Sequence, residues 1–185
     1  GTAAVAYGNQ AQATADSTVA VGDQSKATGA NATAVGKSSE ASQDSALAAG
    51  NGASASAAGA VAAGKNASAS GVQSIAIGSA GTDAAEAPTA SGTQSIAIGS
   101  KTVANSGNSI AMGSTVVARQ HGSTAIGSIV NVDGFKSVGL GYDITSKQNV
   151  TTAIGYITRV YGNQAVAIGS NMTAGEEGVD TGGQV

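Results

Sequence analysis

The stretch Ser-Ile-Ala-Ile-Gly at residues 95–99, followed by Ser-Ile-Ala-Met-Gly at residues 109–113, decides the fold of this chain. The same pattern of an apolar residue, Ala, an apolar residue and Gly recurs along the whole sequence. Its closing glycines are Gly8, Gly22, Gly36, Gly50, Gly64, Gly78, Gly99, Gly113, Gly127, Gly141, Gly155 and Gly169. Ten of their eleven gaps are 14 residues and the other is 21, which indicates a structural repeat.

Each repeat has a second half, in which small or apolar residues stand three and five positions after the glycine, as Ala67 and Ala69 do. Alternation with a period of two predicts strands, and the polar residues around each glycine predict turns. Fourteen residues are too few for a strand and a crossover helix. The sequence therefore predicts an all-β fold, a parallel β-solenoid of about twelve 14-residue coils stacked about 4.8 Å apart.

Composition agrees with a thin, layered core, because the chain has 28 Gly, one Phe and no Trp among 185 residues. The eight basic residues are scattered and the net charge is −3, which argues against nucleic-acid binding. There is no Cys, so disulfides and thiolate metal sites are excluded. No apolar run approaches the length of about 18 residues that a membrane-spanning helix requires.

The two large residues of each motif, such as Ile75 and Ile77, share one face of their strand, and the Ala between them takes the other. We expect the large pair to fill the inside of the coil, while the reverse arrangement, with the large pair at a seam between subunits, stays open. Either arrangement leaves an apolar stripe along the rod, which predicts contact between copies of the chain. The predicted repeat core comprises Val19, Val21, Ile75, Ile77, Ile96, Ile98, Ile110, Met112, Ile126, Ile154, Val166 and Ile168.

The 21-residue gap contains half a coil of extra residues, yet the motif resumes in phase at Ser95. The extra residues must therefore leave the stack as a loop, which we place within residues 80–89 because Pro88 cannot donate a ladder hydrogen bond. This loop is either a tolerated insertion or a protrusion that contacts a ligand. Residues 1–185 are predicted to form one repetitive domain, with coils over about 4–174 and a polar tail at 175–185.

Side chains that carry chemistry are sparse. His121 is the only histidine and falls in a predicted turn, and no His or carboxylate cluster has metal-ligand spacing. No nucleotide-binding or nucleophile motif is present, so we predict no enzymatic activity, metal or cofactor. Four of the five aromatic residues, Phe135, Tyr142, Tyr156 and Tyr161, fall close together; they either form a binding patch or fill and flank the roll. The sequence assigns no ligand-binding residue.

The repeat of Ser, apolar, Ala, apolar and Gly every 14 residues resembles the YadA-like head domain of trimeric autotransporter adhesins of Gram-negative bacteria, over about residues 4–174. The resemblance implies a left-handed parallel β-roll, a homotrimer, and display on the cell surface by an outer-membrane anchor that we expect outside this sequence. It also implies adhesion to extracellular-matrix proteins such as collagen, fibronectin or laminin, or to host cells. The alternative is a structural spacer or self-association module that causes autoaggregation without a host ligand.

Three residues depart from the pattern of that family. Ala49 and Ala63 stand where a large residue is usual, and Gly139 replaces the central Ala of its motif. We expect looser packing in the coils of Ala49 and Ala63.

Overall fold

The computed structural model of the chain describes residues 1–175, and their backbone winds into twelve stacked coils with parallel strand pairing throughout. Each residue pairs with its counterpart one coil away, as Val5 does with Val19 and Val19 with Thr33. The predicted all-β solenoid fold is thus confirmed. We number the coils 1 to 12 by their motif glycines, from Gly8 to Gly169. Apart from Gly175, the predicted polar tail lies outside the described residues.

Coils 1 to 6 each contain two short strands, whereas coils 7 to 12 each contain one nine-residue strand that bends at the glycine. A 3₁₀ turn, Ala84–Glu86, lies in the insertion. The strands are β1 (Val5–Tyr7), β2 (Gln12–Ala13), β3 (Val19–Val21), β4 (Lys26–Ala27), β5 (Thr33–Val35), β6 (Glu40–Ala41), β7 (Leu47–Ala49), β8 (Ser54–Ala55), β9 (Val61–Ala63), β10 (Ser68–Ala69), β11 (Ile75–Ile77), β12 (Thr89–Ala90), β13 (Ile96–Ala104), β14 (Ile110–Ala118), β15 (Thr124–Val132), β16 (Val138–Ser146), β17 (Thr152–Val160) and β18 (Val166–Ala174).

The motif glycines stack in one column at what we call the first corner, where the chain turns from the motif strand to the second strand of its coil. Their φ angles lie between +119° and +142°, a region that residues with a Cβ rarely adopt. A Cβ added to any of them from Gly8 to Gly155 would lie less than 3 Å from the carbonyl oxygen of the next glycine. Backbone conformation and coil spacing therefore both require glycine in this column.

Each coil also has a second corner, which precedes its motif strand and joins it to the second strand of the preceding coil, and both corners contain a left-handed residue. In coil 2, Gln24 at the first corner has a φ of +58°, and Asn31 at the following second corner also has a φ of +58°. The left-handed positions thus recur about every seven residues. Most of them hold Gln, Asn, Ser or Gly, which are the polar or flexible residues expected at turns.

The interior of the coil is lined by the central Ala of each motif, as shown by Ala20, Ala76 and Ala111, which are fully buried. Small residues of the second strand, such as Ala27, face them across the coil and are also fully buried. The short corners bring the two strands so close together that Ala against Ala fills the gap. The large motif residues consequently point outward, because neighbours in a strand face opposite sides.

The expectation that the large motif residues fill the interior is therefore wrong, and the reverse arrangement is the one observed. All twelve residues of the predicted repeat core lie on the outer face of the roll and are half-buried or exposed in the single chain. They are Val19, Val21, Ile75, Ile77, Ile96, Ile98, Ile110, Met112, Ile126, Ile154, Val166 and Ile168.

Larger residues enter the interior only from the second strands of the later coils. Val130, Val132 and Ile144 are almost fully buried there, and they converge on Gly139. A Cβ at Gly139 would lie 2.6 Å from Val132 Cγ2, 3.1 Å from Val130 Cγ1 and 3.3 Å from Ile144 Cγ2. The missing central Ala is thus compensated by large residues of the opposite strand, which keeps the interior closely packed.

We predict that Gly139→Ala lowers the free energy of unfolding by about 1–3 kcal/mol, because the added methyl overpacks the interior. Adding Val132→Ala should relieve the clash, so the double variant should lose less stability than the two single variants together. Denaturant unfolding of the four proteins measures this coupling. Strictly additive losses would show that Val132 and Gly139 do not share one packing site.

A column of buried hydroxyls precedes the motif strands, and most of them bond to a carbonyl oxygen of the second corner. Thr18 Oγ1 donates to Ala15 O at 2.8 Å, and Ser109 Oγ donates to Ser106 O at 2.6 Å. In contrast, the buried Ser74 and Ser95 Oγ atoms have no partner among the described residues. A buried hydroxyl without a partner is costly, and Ala occupies the same column at residues 32, 46 and 60.

We predict that Ser95→Ala raises the free energy of unfolding by about 1 kcal/mol, because it removes a desolvated hydroxyl that gains no bond in return. The matched variant Ser109→Ala should lower it by about 1 kcal/mol, because it deletes a formed hydrogen bond. Thermal or denaturant unfolding of both variants gives the two signs. Equal losses in the two variants would mean that Ser95 is as well bonded as Ser109.

Candidate binding surface

The outward residues of the motif strands form a continuous surface, which we call the apolar face. Strand register stacks them into two ladders that run the length of the rod, about 53 Å for eleven steps. In the single chain much of this face is open to solvent, since Val35 is 41%, Ile77 40% and Ile168 61% exposed. One ladder contains Val5, Val19, Thr33, Leu47, Val61, Ile75, Ile96, Ile110, Thr124, Val138, Thr152 and Val166; the other contains Tyr7, Val21, Val35, Ala49, Ala63, Ile77, Ile98, Met112, Ile126, Leu140, Ile154 and Ile168.

Ala49 and Ala63 belong to the apolar face and not to the interior of the coils. Neighbouring coils place Val35 and Ile77 in the same ladder, so the two alanines form a shallow step in the surface. The interior of these coils is closely packed, since Ala48 and Ala62 are fully buried. Looser packing is therefore expected only between the two alanines and a molecule that covers the apolar face.

The outward residues of the second strands form the opposite surface, the polar face. Its ladder is mixed in charge and mostly hydrophilic, with a shallow hollow lined by Gln24, Lys26, Ser38 and Glu40. The two faces of the flat roll thus differ sharply in polarity, and only one of them needs covering. The polar-face ladder contains Gln12, Lys26, Glu40, Ser54, Ser68, Thr89, Val103, Val117, Asn131, Thr145, Arg159 and Thr173.

The insertion leaves the stack at the first corner of coil 6, between Ile77 and Thr89. Thr89 itself pairs with Ser68 and Val103, so the irregular segment ends one residue earlier than the predicted loop. Pro88 is buried against the rod, while the residues from 81 to 85 are exposed.

Polar contacts hold this loop against neighbouring coils. Glu86 forms a 2.8 Å ion pair with Lys101, and Lys65 Nζ donates to Gly81 O at 3.1 Å. The Asp83 side chain accepts from Ala85 N at 2.9 Å and begins the 3₁₀ turn. The hydrogen bond from Lys101 to Glu86, together with the charge of Glu86, raises the pKa of Lys101 above its ordinary value. The loop is therefore a fixed protrusion on one edge of the rod.

The aromatic residues that cluster in the sequence lie on opposite edges of the roll. Tyr142 and Tyr156 stack at the first corners of coils 10 and 11, with ring centroids 5.3 Å apart. Phe135 lies at the second corner of coil 10, stacked on exposed His121 at 5.9 Å, with Lys136 Nζ 5.2 Å from its ring centroid. Within one chain, the single aromatic patch suggested by the sequence is thus two separate patches.

Ion pairs at these corners link neighbouring coils. Arg159 donates to both carboxylate oxygens of Asp143, at 2.8 and 2.9 Å, and Arg119 pairs with Asp133. Within residues 1–175, no group of three or more His, Asp or Glu side chains is placed to hold a metal ion. The same part of the chain contains no helix that is long and apolar enough to cross a membrane.

Comparison with known proteins identifies the family. The sequence model of the YadA head domain repeat family matches residues 1–25, 27–53, 55–80, 90–115 and 151–171, which together make up more than half of the chain. The chain belongs to this family. A similar solved structure is the crystal structure of the collagen-binding domain of the Yersinia adhesin YadA, with 19% identity, a TM-score of 0.42, and coverage of 100% of this chain and 86% of that one. No curated protein sequence matches the chain.

Sequence reasoning missed the identity of the apolar face, although the repeats contain a signal for it. The central motif position is Ala in nearly every coil, whereas the flanking positions vary among Val, Thr, Leu, Ile, Met, Ala and Tyr. A narrow interior tolerates little change in volume, so the position that varies least between coils is the interior one. The left-handed residues at the corners were also missed.

Proposed function

We propose that this chain is the head of a bacterial surface adhesin, which works as a homotrimer and attaches the cell to extracellular-matrix proteins or host cells. The observation that carries the proposal is the polarity of the roll, which has one apolar face along its whole length and a polar face opposite. Membership of the YadA head domain repeat family supports the adhesive role.

The apolar face supports coaxial assembly of three chains. Every coil contributes two outward residues at the same spacing, so three rods in register can bury all three apolar faces around one axis. Closed cyclic symmetry limits such an assembly to a fixed number of chains, and contact along about 53 Å of rod buries far more apolar surface than one exposed patch on a monomer. The family to which the chain belongs supports three as that number.

In this arrangement the polar faces remain outside and form the surface for ligands. We propose collagen, fibronectin or laminin, or a host cell surface, as the ligand class. Equivalent ladders repeated over twelve coils and three chains would supply many weak contacts, so avidity would exceed the strength of any single contact. The head would be held at the surface of a Gram-negative cell by an outer-membrane anchor, and would catalyse no reaction.

We predict that Ile98→Lys, at the centre of the apolar face, converts the trimer to monomers, because it would place three charges in one desolvated seam at a cost of several kcal/mol per ion. Analytical ultracentrifugation of the purified chain measures the mass. Val117→Lys is the matched control on the polar face and should leave the trimer intact. A wild-type chain that sediments as a folded monomer would contradict the assembly, as would an unchanged trimer of Ile98→Lys.

We predict that the trimer binds at least one matrix protein in a solid-phase assay with collagen, fibronectin and laminin, and that the Ile98→Lys monomer binds it at least tenfold more weakly, through the loss of avidity. Val117→Lys controls for the added charge. If the trimer binds none of the three proteins and no host cells, yet cells that display it aggregate, the chain is a self-association module and not a host adhesin.

A further inference from the structure

The corners of the rod change character in coils 9 to 11. In coils 1 to 8 the corner residues outside the inserted loop are small or polar, with the exception of Val72. In coils 9 to 11 the first corners carry Ile129, Tyr142, Tyr156 and Ile157, and the second corners carry His121, Phe135 and Val150. Large side chains therefore appear on both edges of the roll over the same three coils.

These side chains have little cover within their own chain. On the first-corner edge, Ile129 is 46%, Tyr142 45% and Tyr156 51% exposed, and on the opposite edge Phe135 is 40% and Val150 51% exposed. Exposed aromatic and aliphatic groups clustered in this way usually mark an interaction surface. Most of them fall in residues 116–150, between two segments that the family model matches, so they are features of this chain beyond the common repeat.

Backbone strain is concentrated at the same corners. Ile129, Val150 and Ile157 have φ angles of +57°, +57° and +52°, and β-branched residues are genuine outliers in this left-handed region. Equivalent corner positions in other coils hold residues such as Asn66 and Asn108, and only Thr115 is a further β-branched example among the described residues. Ile129 and Val150 gain little burial within the chain in return, and a contact with a second copy of the chain would supply it.

The proposed trimer supplies a geometric reason for matched edges. Three flat faces around one axis meet at three vertices, and rotational symmetry places the first corner of one chain beside the second corner of the next at the same height. Within one chain these corners are held apart by the five-residue motif, about 15 Å long. The apolar first corners of one chain can therefore contact apolar second corners only in a neighbouring chain.

We propose that coils 9 to 11 form an aromatic clamp between neighbouring chains, in which Tyr142 and Tyr156 of one chain pack against Phe135 and Val150 of the next. This inference rests on the proposed homotrimer, and its ligand is a second copy of this chain. The clamp is continuous with the apolar face, because Leu140 and Val138 lie directly inside the two corners of coil 10. It helps to fix the relative height of the three chains, because a slip by one coil would misalign the clamp residues.

Coil 6 shows a smaller example of the same match. Val72, at its second corner, is 47% exposed, and the first corner of the same coil carries the inserted loop, with Ala84 and Ala85 exposed. Across a vertex, Val72 of one chain would meet the loop of the next.

A double cysteine variant tests the clamp directly, since the chain has no native Cys. We expect Phe135→Cys combined with Tyr142→Cys to give covalent trimers on a denaturing gel after treatment with a short bifunctional thiol reagent. The control combines Phe135→Cys with Lys37→Cys, which lies at a first corner seven coils lower, about 34 Å away. The control should give no covalent trimer.

Sedimentation of the same variants separates the two proposals. A trimer in solution that cross-links no better than the control would overturn the clamp and leave the homotrimer standing. A monomer in solution, for the wild-type chain as well, would overturn both.

Relief of strain gives a second test with a predicted sign. Val150→Asn places at this corner a residue that other coils already use, so unassembled coils should tolerate it. If Val150 is a clamp residue, the variant should nevertheless raise the dissociation constant of the trimer at least about tenfold, since a contact is lost at each of three vertices. Asn108→Gln, at the equivalent corner of coil 8, is the control and should have no effect. A trimer of Val150→Asn that dissociates no more readily than wild type would overturn the clamp.

Discussion

The hydrogen bonds between equivalent residues of successive coils impose the constraint on which this structure depends. Val19 N donates to Ala32 O, and Lys26 N donates to Ser39 O; these bonds pair each residue with the one 14 positions later, as Val19 with Thr33. Any residue choice is therefore repeated at the coil spacing and acts as a column. The glycine column is the strictest case, because one Cβ would meet the backbone of the next coil. A residue type that fits one position of the coil therefore fits the same position of every coil, and the sequence repeats it.

The narrow interior determines where the apolar mass of the chain lies. Two strands joined by short corners leave room for Ala against Ala, and larger interior residues are few, three of which converge on Gly139. Branched residues are therefore placed on the outside, where a single chain leaves them half exposed. The hydrophobic effect favours covering this surface, and another copy of the chain presents a face with identical spacing. The width of one coil thus leaves an apolar face on the outside of the roll, which contact with another copy of the chain would cover.

The sequence was sufficient to predict the fold, because few other structures are compatible with glycines every 14 residues and with apolar residues that alternate with a period of two. It could not by itself orient the strands, since alternation shows that Ile75 and Ile77 share a face but not which face is inside. The insertion was predicted within residues 80–89, because Pro88 and the resumed phase both limit it, and Thr89 is the first residue after it that pairs with neighbouring coils. The sequence suggested one aromatic patch where the structure has two, because Phe135 and Tyr142 are only seven residues apart. Seven residues are half a coil, which places the two side chains on opposite edges of the roll.

Residues that depart from the repeat can make individual coils of this fold differ in their interactions. Coils 9 to 11 combine large interior residues, exposed aromatic corners and β-branched residues in left-handed conformations. A uniform ladder has no preferred height against its neighbours, since a slip by one coil restores nearly every contact. Specificity then requires a few positions that are unlike the rest and that cost free energy when misaligned. In the proposed trimer, strained corners with exposed apolar side chains would meet that requirement, because only one register of the three chains would cover them.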